Sequence, residues 1–237
     1  DTMALQVNRK AADNTLIDYS LTASTTDAAD ARNTNLNIAT GPTSAVQMTM
    51  NGADGEYTKL TGHLTLNVFD FVTVSGDFGI EKKQTTVHVA DLASTTNVDE
   101  SAAAINANVL LIGGNNLSAF VGASGVGVNL SGMSLGVALV TEQVTGNATP
   151  RKWTSVEATV ASASVQGVSG LTVTVDTMAL QVNRKAADNT LIDYSLTAST
   201  TDAADARNTN LSIASGPTSA VQMTINGADG EDRKSTR

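Results

Sequence analysis

The chain repeats itself, and no other feature limits its fold as strongly. The stretch DTMALQVNRKAADNTLIDYSLTASTTDAADARNTNLNIATGPTSAVQMTMNGADGE begins at Asp1 and returns at Asp176, a period of 175 residues (176 − 1). Between Asp1–Glu56 and Asp176–Glu231 three pairs differ: Asn37/Ser212, Thr40/Ser215 and Met50/Ile225. Each exchange keeps a small polar or an apolar side chain in kind. A unit copied this faithfully points to an array in which neighbouring units stack or join end to end. Residues 1–175 are then one full period in arbitrary phase, and 176–231 open the next copy. The match stops at Asp232–Arg237, where DRKSTR resembles a translated sequencing adapter rather than a part of the fold. With no leader pattern after Asp1, the chain reads as a piece of something longer.

Within the period the dominant pattern is alternation of apolar and polar residues. Leu171, Val173 and Val175 share one strand face, and Met178, Leu180 and Val182 continue it in the opposite phase. That flip reads as a bulge or corner. Leu64, Leu66 and Val68, followed by Phe69 and Phe71, show the same switch. A short echo of aliphatic, Ser or Thr, then Gly recurs at Leu60–Gly62, Val74–Gly76, Leu130–Gly132 and Val168–Gly170. Its spacing is irregular. Further strands are expected at Leu36–Ile38, Val46–Met50, Thr85–Val89, Val109–Ile112, Val126–Leu130, Leu135–Val140 and Val156–Val165. Turn chemistry at Gly41-Pro42, Asn51-Gly52, Asp54-Gly55, Gly113-Gly114-Asn115-Asn116 and Gly146-Asn147 separates them. Only Asp99–Asn106, with its alanines, reads as helical. The expected fold is all-β, an elongated tandem-repeat array. A β-solenoid is favoured because aromatics make up only 3% of the chain and the core must be thin. A flattened β-sandwich is the alternative.

Composition narrows the function classes. Against 14 basic side chains stand 23 acidic ones, a net charge of −9, which opposes binding to nucleic acid or anionic membrane. No apolar run approaches the ~20 residues of a membrane-spanning helix. With no cysteine, thiol catalysis, disulfides and Cys-based zinc sites are all excluded.

Three segments carry a resemblance: VFDFVTVSGDFGIEK (Val68–Lys82), LSAFVGASG (Leu117–Gly125) and RKWTSVEATVASASVQGVSGLTVTVDTMALQVN (Arg151–Asn183). Through them the chain resembles repeat regions of giant Gram-negative surface proteins of the RTX-type or hemolysin-like adhesins. The resemblance implies export by a type I route and a place in a secreted or cell-surface array. It carries no catalytic residues. The GGxGxD nonapeptide that binds calcium in RTX β-rolls is missing here, so calcium dependence does not carry over with it.

Several motifs contain residue types that can carry chemistry. Gly132-Met-Ser134-Leu-Gly136 matches the nucleophile-elbow pattern, but the serine lies in a β alternation with no helix after it. His63 and His88, the two histidines, have no partner recognisable in the sequence. No residue is therefore assigned as catalytic, and the chain is read as a non-enzyme. Asn51, Asp54 and Glu56, with their copies Asn226, Asp229 and Glu231, form the candidate calcium set, because oxygens spaced by glycines can converge within one turn. A plain Asn-Gly and Asp-Gly turn explains the same residues. Asp27/Asp30 and Asp202/Asp205 read as solvated loops. Trp153, after Arg151 and Lys152, is either a sugar-stacking platform or a packed side chain, and packing is favoured. The reading that emerges is a structural spacer repeat of a giant secreted or cell-surface bacterial protein supporting adhesion, its partners the neighbouring repeats. The alternative is a calcium- or polysaccharide-binding adhesin module.

Overall fold

The computed structural model describes residues 3–20, 36–68, 71–91, 104–146, 148–194, 209, 211–225 and 233–236. Strand-forming alternation governs nearly all of them. The strands are β1 (Met3–Asn8), β2 (Asn37–Ala39), β3 (Ala45–Gln47), β4 (Tyr57–Val68), β5 (Val72–Val87), β6 (Val89–Asp91) and β7 (Ile105–Ala123). They continue with β8 (Val126–Glu142), β9 (Lys152–Gln166), β10 (Thr174–Arg184), β11 (Thr190–Ile192), β12 (Ser212–Ala214), β13 (Ala220–Gln222) and β14 (Arg233–Thr236). Gly52–Asp54 forms a single 3₁₀ turn, and the described residues contain no α-helix. None of their helices is long and apolar enough to cross a membrane.

The all-β class expected from the sequence is observed. Seven strands form one large sheet in the order β1-β4-β5-β7-β8-β9-β10, with the tail strand β14 added beside β10. From β5 through β7, β8 and β9 to β10 every pairing is antiparallel. In the large sheet β4, β5, β7, β8, β9 and β10 are 11 to 19 residues long, far longer than the rungs of a solenoid. The favoured winding is thus replaced by an open meander. The physical reason lies in the connections: a hairpin returns the chain antiparallel beside itself, whereas stacked rungs need parallel crossovers.

Two compact units divide the chain. The larger contains Asp1–Ala4 and Leu60–Arg237. Its core lies between one half of the sheet and the segment after β10. Val87, Val109, Leu111, Val140 and Trp153 come from the sheet, and Ile192, Tyr194, Ile213 and Met223 come from the covering segment. β7 shows the origin of this face: Ala107, Val109 and Leu111 are buried while Leu110 between them is 36% exposed. The smaller unit, Leu5–Lys59, holds the hairpin β2–β3 and the 3₁₀ turn.

Several local expectations change in the folded chain. Gly113-Gly114-Asn115-Asn116 is not a turn but the middle of β7. Of Asp99–Asn106, residues 99–103 lie outside the described residues, and Ile105 and Asn106 open β7 rather than a helix. At Val175/Met178 there is no bulge: the β9–β10 register runs on unshifted from Asp176↔Ser162 to Met178↔Val160. The irregularity there is Thr177, at φ 57°. Val68 ends β4 and Val72 opens β5, and Phe69, part of the switch expected there, lies outside the described residues. The Ser-Gly echo marks conformational irregularities at Gly76, Gly132 and Gly170, all with positive φ.

Candidate functional site

A row of glycines crosses the sheet. Gly79 of β5 pairs with Gly113 of β7, which pairs with Gly136 of β8. The row continues into Glu157 of β9 and Gln181 of β10. In a free strand glycine is a poor choice, because it adds backbone entropy and nothing to pack. Here it is required by contact. A Cβ at Gly79 or at Gly113 would overlap the Ala214 carbonyl oxygen, well inside van der Waals contact distance, and one at Gly136 would lie 3.0 Å from the Met223 sulfur. The β12–β13 hairpin thus lays its backbone directly on the sheet.

Beyond the glycines, polar groups hold the same segment. Glu157 accepts hydrogen bonds from the backbone N–H (2.8 Å) and hydroxyl (2.6 Å) of Thr224. Ser155, fully buried, donates within a cluster containing Asn183 (3.0 Å) and Tyr194 (3.1 Å), and Asn183 Nδ2 donates to the Ile192 carbonyl (2.9 Å). Burial raises the Tyr194 phenol far above its ordinary pKa, so it remains protonated. His88 donates its backbone N–H to Thr209 Oγ1 at 2.8 Å.

At the edge of this core, Arg151 grips two carboxylates. Its Nε and one terminal nitrogen reach Glu142 at 2.8 Å each, a bidentate pair, and the other terminal nitrogen reaches Asp188 at 3.1 Å. The guanidinium lies 5.2 Å from the Trp153 ring centroid. Trp153 is 2% exposed and donates its indole N–H to the Thr190 carbonyl at 3.0 Å. The ring is therefore core, not a surface on which a sugar could stack. Hydrogen bonding from Arg151 lowers the Glu142 pKa below its ordinary value. At Asp188 burial acts upward, but hydrogen bonds from Thr190 and Arg151 outweigh it and the net shift is downward.

Both shifts make these carboxylates stabilising only while ionised. Stability from them is complete above their unfolded pKa values, near 4.5 for Glu and 3.8 for Asp, and is lost as pH falls through the lower folded values. We expect the urea midpoint, followed by the fluorescence of the one tryptophan, to fall on acidification from pH 5 to pH 3. Arg151→Met should remove about 1 kcal/mol at pH 7 and flatten this acid dependence. An equally steep acid limb in the variant would show that other carboxylates dominate.

The sequence candidates fall into place differently. Asn51, Asp54 and Glu56 lie in and around the 3₁₀ turn, closed by Asp54 N–H to the Asn51 carbonyl (3.3 Å), and Asp54 points to solvent. Asp18 Oδ1 accepts the N–H groups of Ser20 (2.8 Å) and Gly52 (3.2 Å), which lowers its pKa and ties this turn to the chain before it. Among the described residues no three His, Asp or Glu side chains are grouped to hold a metal ion. Asn226, Asp229 and Glu231, and the pairs Asp27/Asp30 and Asp202/Asp205, lie outside the described residues. Ser134 sits within β8 with its hydroxyl 2.6 Å from that of Thr159.

His63 does have partners, which sequence separation concealed. Its Nδ1 lies 3.0 Å from Asp77 and its Nε2 lies 3.4 Å from Ser75 Oγ. The connectivity is that of a nucleophile, base and orienting acid. The serine distance exceeds the reach of a general base, however, and the same hydroxyl is 3.0 Å from Thr65. With His63 45% exposed in its side chain, the group reads as polar pairing between neighbouring strands. The features missed in the sequence were the glycine row and Glu157. Three glycines inside apolar runs were the available signal, but their alignment exists only once register is set.

In comparisons with known proteins, no family model, curated sequence or solved structure matches the chain.

Proposed function

We propose that this chain is a spacer unit of a giant secreted or cell-surface bacterial protein, one that extends an adhesive part by repetition and acts mechanically. One observation carries the reading: in their described residues the two copies of the repeated stretch share hairpin register and turns, although Thr190–Ile192 form β11 and Thr15–Ile17 form no strand. Hairpin β2–β3 pairs Asn37↔Gln47, Ile38↔Val46 and Ala39↔Ala45. Hairpin β12–β13 pairs Ser212↔Gln222, Ile213↔Val221 and Ala214↔Ala220, the same register displaced by 175 residues. The bond from Tyr19 N–H to the Met50 carbonyl recurs from Tyr194 N–H to the Ile225 carbonyl, at 2.8 Å in both. Asn14 and Asn189 share a left-handed conformation, at φ 66° and 67°. A sequence that rebuilds one block at a fixed interval is suited to reach, and long antiparallel ladders suit it to load. The net charge of −9 favours solubility of a long array.

Pulling a concatenated array by its ends tests this. Unfolding should proceed in equal steps, each releasing 175 residues, roughly 600 Å of extended chain before subtraction of the folded span. Steps of irregular length, or smooth extension without force peaks, would refute the spacer reading.

A further inference from the structure

In their described residues the two copies share a hairpin and its turns but are not covered alike. Ile213 is 0% exposed, and its counterpart Ile38 is 47% exposed. Ile192 is 0% exposed against 51% for Ile17, and Leu211 3% against 38% for Leu36. The second copy owes its burial to the glycine row, Glu157 and Trp153, all in the region between Tyr57 and Val175 that occurs once in this chain. The first copy has the same apolar surface with no second region of that kind to receive it.

The sheet order carries an independent sign of the same relation. β10 pairs with β9 on one side and β14 on the other. β1, the counterpart of β10, stands beside β4 at the opposite end of the sheet. The strand MALQVN therefore has a β4-type neighbour at one end of the sheet and a β9-type neighbour at the other.

We infer that β1, Ile17 and the β2–β3 hairpin with Leu36 form a docking surface for the sheet of a preceding repeat, a further copy of residues 57–175. The β9 edge of that copy would pair with β1, and its glycine row would receive the β2–β3 hairpin. The structural unit is then 57–231, displaced in phase from the period as first read. MALQVN is the splice strand that belongs to one unit and begins the next. Six strands per repeat, β4, β5, β7, β8, β9 and β10, at about 4.8 Å spacing, would add about 29 Å of continuous sheet for every 175 residues. Head-to-tail contacts of this kind do not close on themselves and propagate as open arrays. The inference rests on the spacer reading, yet it can fail alone, since repeats joined only by flexible links would still unfold in equal force steps.

Hydrogen exchange followed by mass spectrometry tests it, because the differences at 37/212, 40/215 and 50/225 give the otherwise identical peptides distinct masses. In the 237-residue chain at low concentration, amides of 212–225 should exchange at least about a hundredfold more slowly than those of 37–50. In a chain extended at its N-terminus by another copy of residues 57–175, the 37–50 amides should slow to match. Slowing of 37–50 in the unextended chain only at high concentration would support the same occupant, supplied by a second molecule. Equal protection of both peptides in the dilute, unextended chain would overturn the inference, as would fast exchange of 37–50 in the extended one. Placing Gly113→Val in the added copy, at its corresponding position, should restore fast exchange to 37–50 alone; unchanged protection there would show that the glycine row does not receive the hairpin.

Discussion

Gly113→Val is expected to destabilise the larger unit by about 4 kcal/mol, although valine is much the better strand former. On local propensity alone the substitution should help by up to about 1 kcal/mol. The tertiary contact reverses the sign. The new side chain would occupy the space of the Ala214 carbonyl, and backbone cannot move aside as a flexible side chain can. Hairpin β12–β13 must lift, uncovering Ile213 and Met223, each now 0% exposed. Burial of such a side chain stabilises by about 1.5–3 kcal/mol, which sets the size of the loss for two of them. For a unit of this length that lowers the melting temperature by roughly 10 °C. Urea titration with Trp153 fluorescence provides the measurement, since that ring belongs to the same core cluster. A variant as stable as the parent would mean that the hairpin does not rest on the glycine row.

The second large effect is a contrast between identical residues. Ile213→Ala should cost about 2–5 kcal/mol, the range for a truncated core side chain. Ile38→Ala, at the same place in the other copy, should change stability by no more than about 0.5 kcal/mol. Both residues occupy the same position of the same hairpin, so helix or strand propensity cannot separate them. Only cover can. Equal losses at the two positions, in the dilute 237-residue chain, would show that the first copy is packed as well as the second.

Legibility of this fold followed the range of the interactions. Alternation placed β8, β9 and β10, because the signal lies in residues two apart and every residue of a strand contributes to it. It also located the change at Asp176–Met178, though as a bulge rather than a single left-handed residue, Thr177. The glycines of β7 were misread because glycine next to asparagine is ordinary turn chemistry. Nothing nearby in sequence reveals that Ala214, a hundred residues on, needs the space. The His63, Asp77 and Ser75 group was hidden for the same reason on a smaller scale: its members meet across neighbouring strands, and register is not written in spacing alone. Trp153 was correctly favoured as packing, since a large ring among aliphatic residues gains most by burial.

What the sequence determined by itself was repetition, strand content and the conformation of each repeated piece. Those are local or self-comparing properties, and both copies obey them down to shared turns and hairpin registers. The tertiary structure alone decided which copy is covered and why three glycines stand in line. The physical reason is that burial depends on what lies opposite a surface. Two identical segments present the same apolar face, and only the one with a sheet against it removes that face from water.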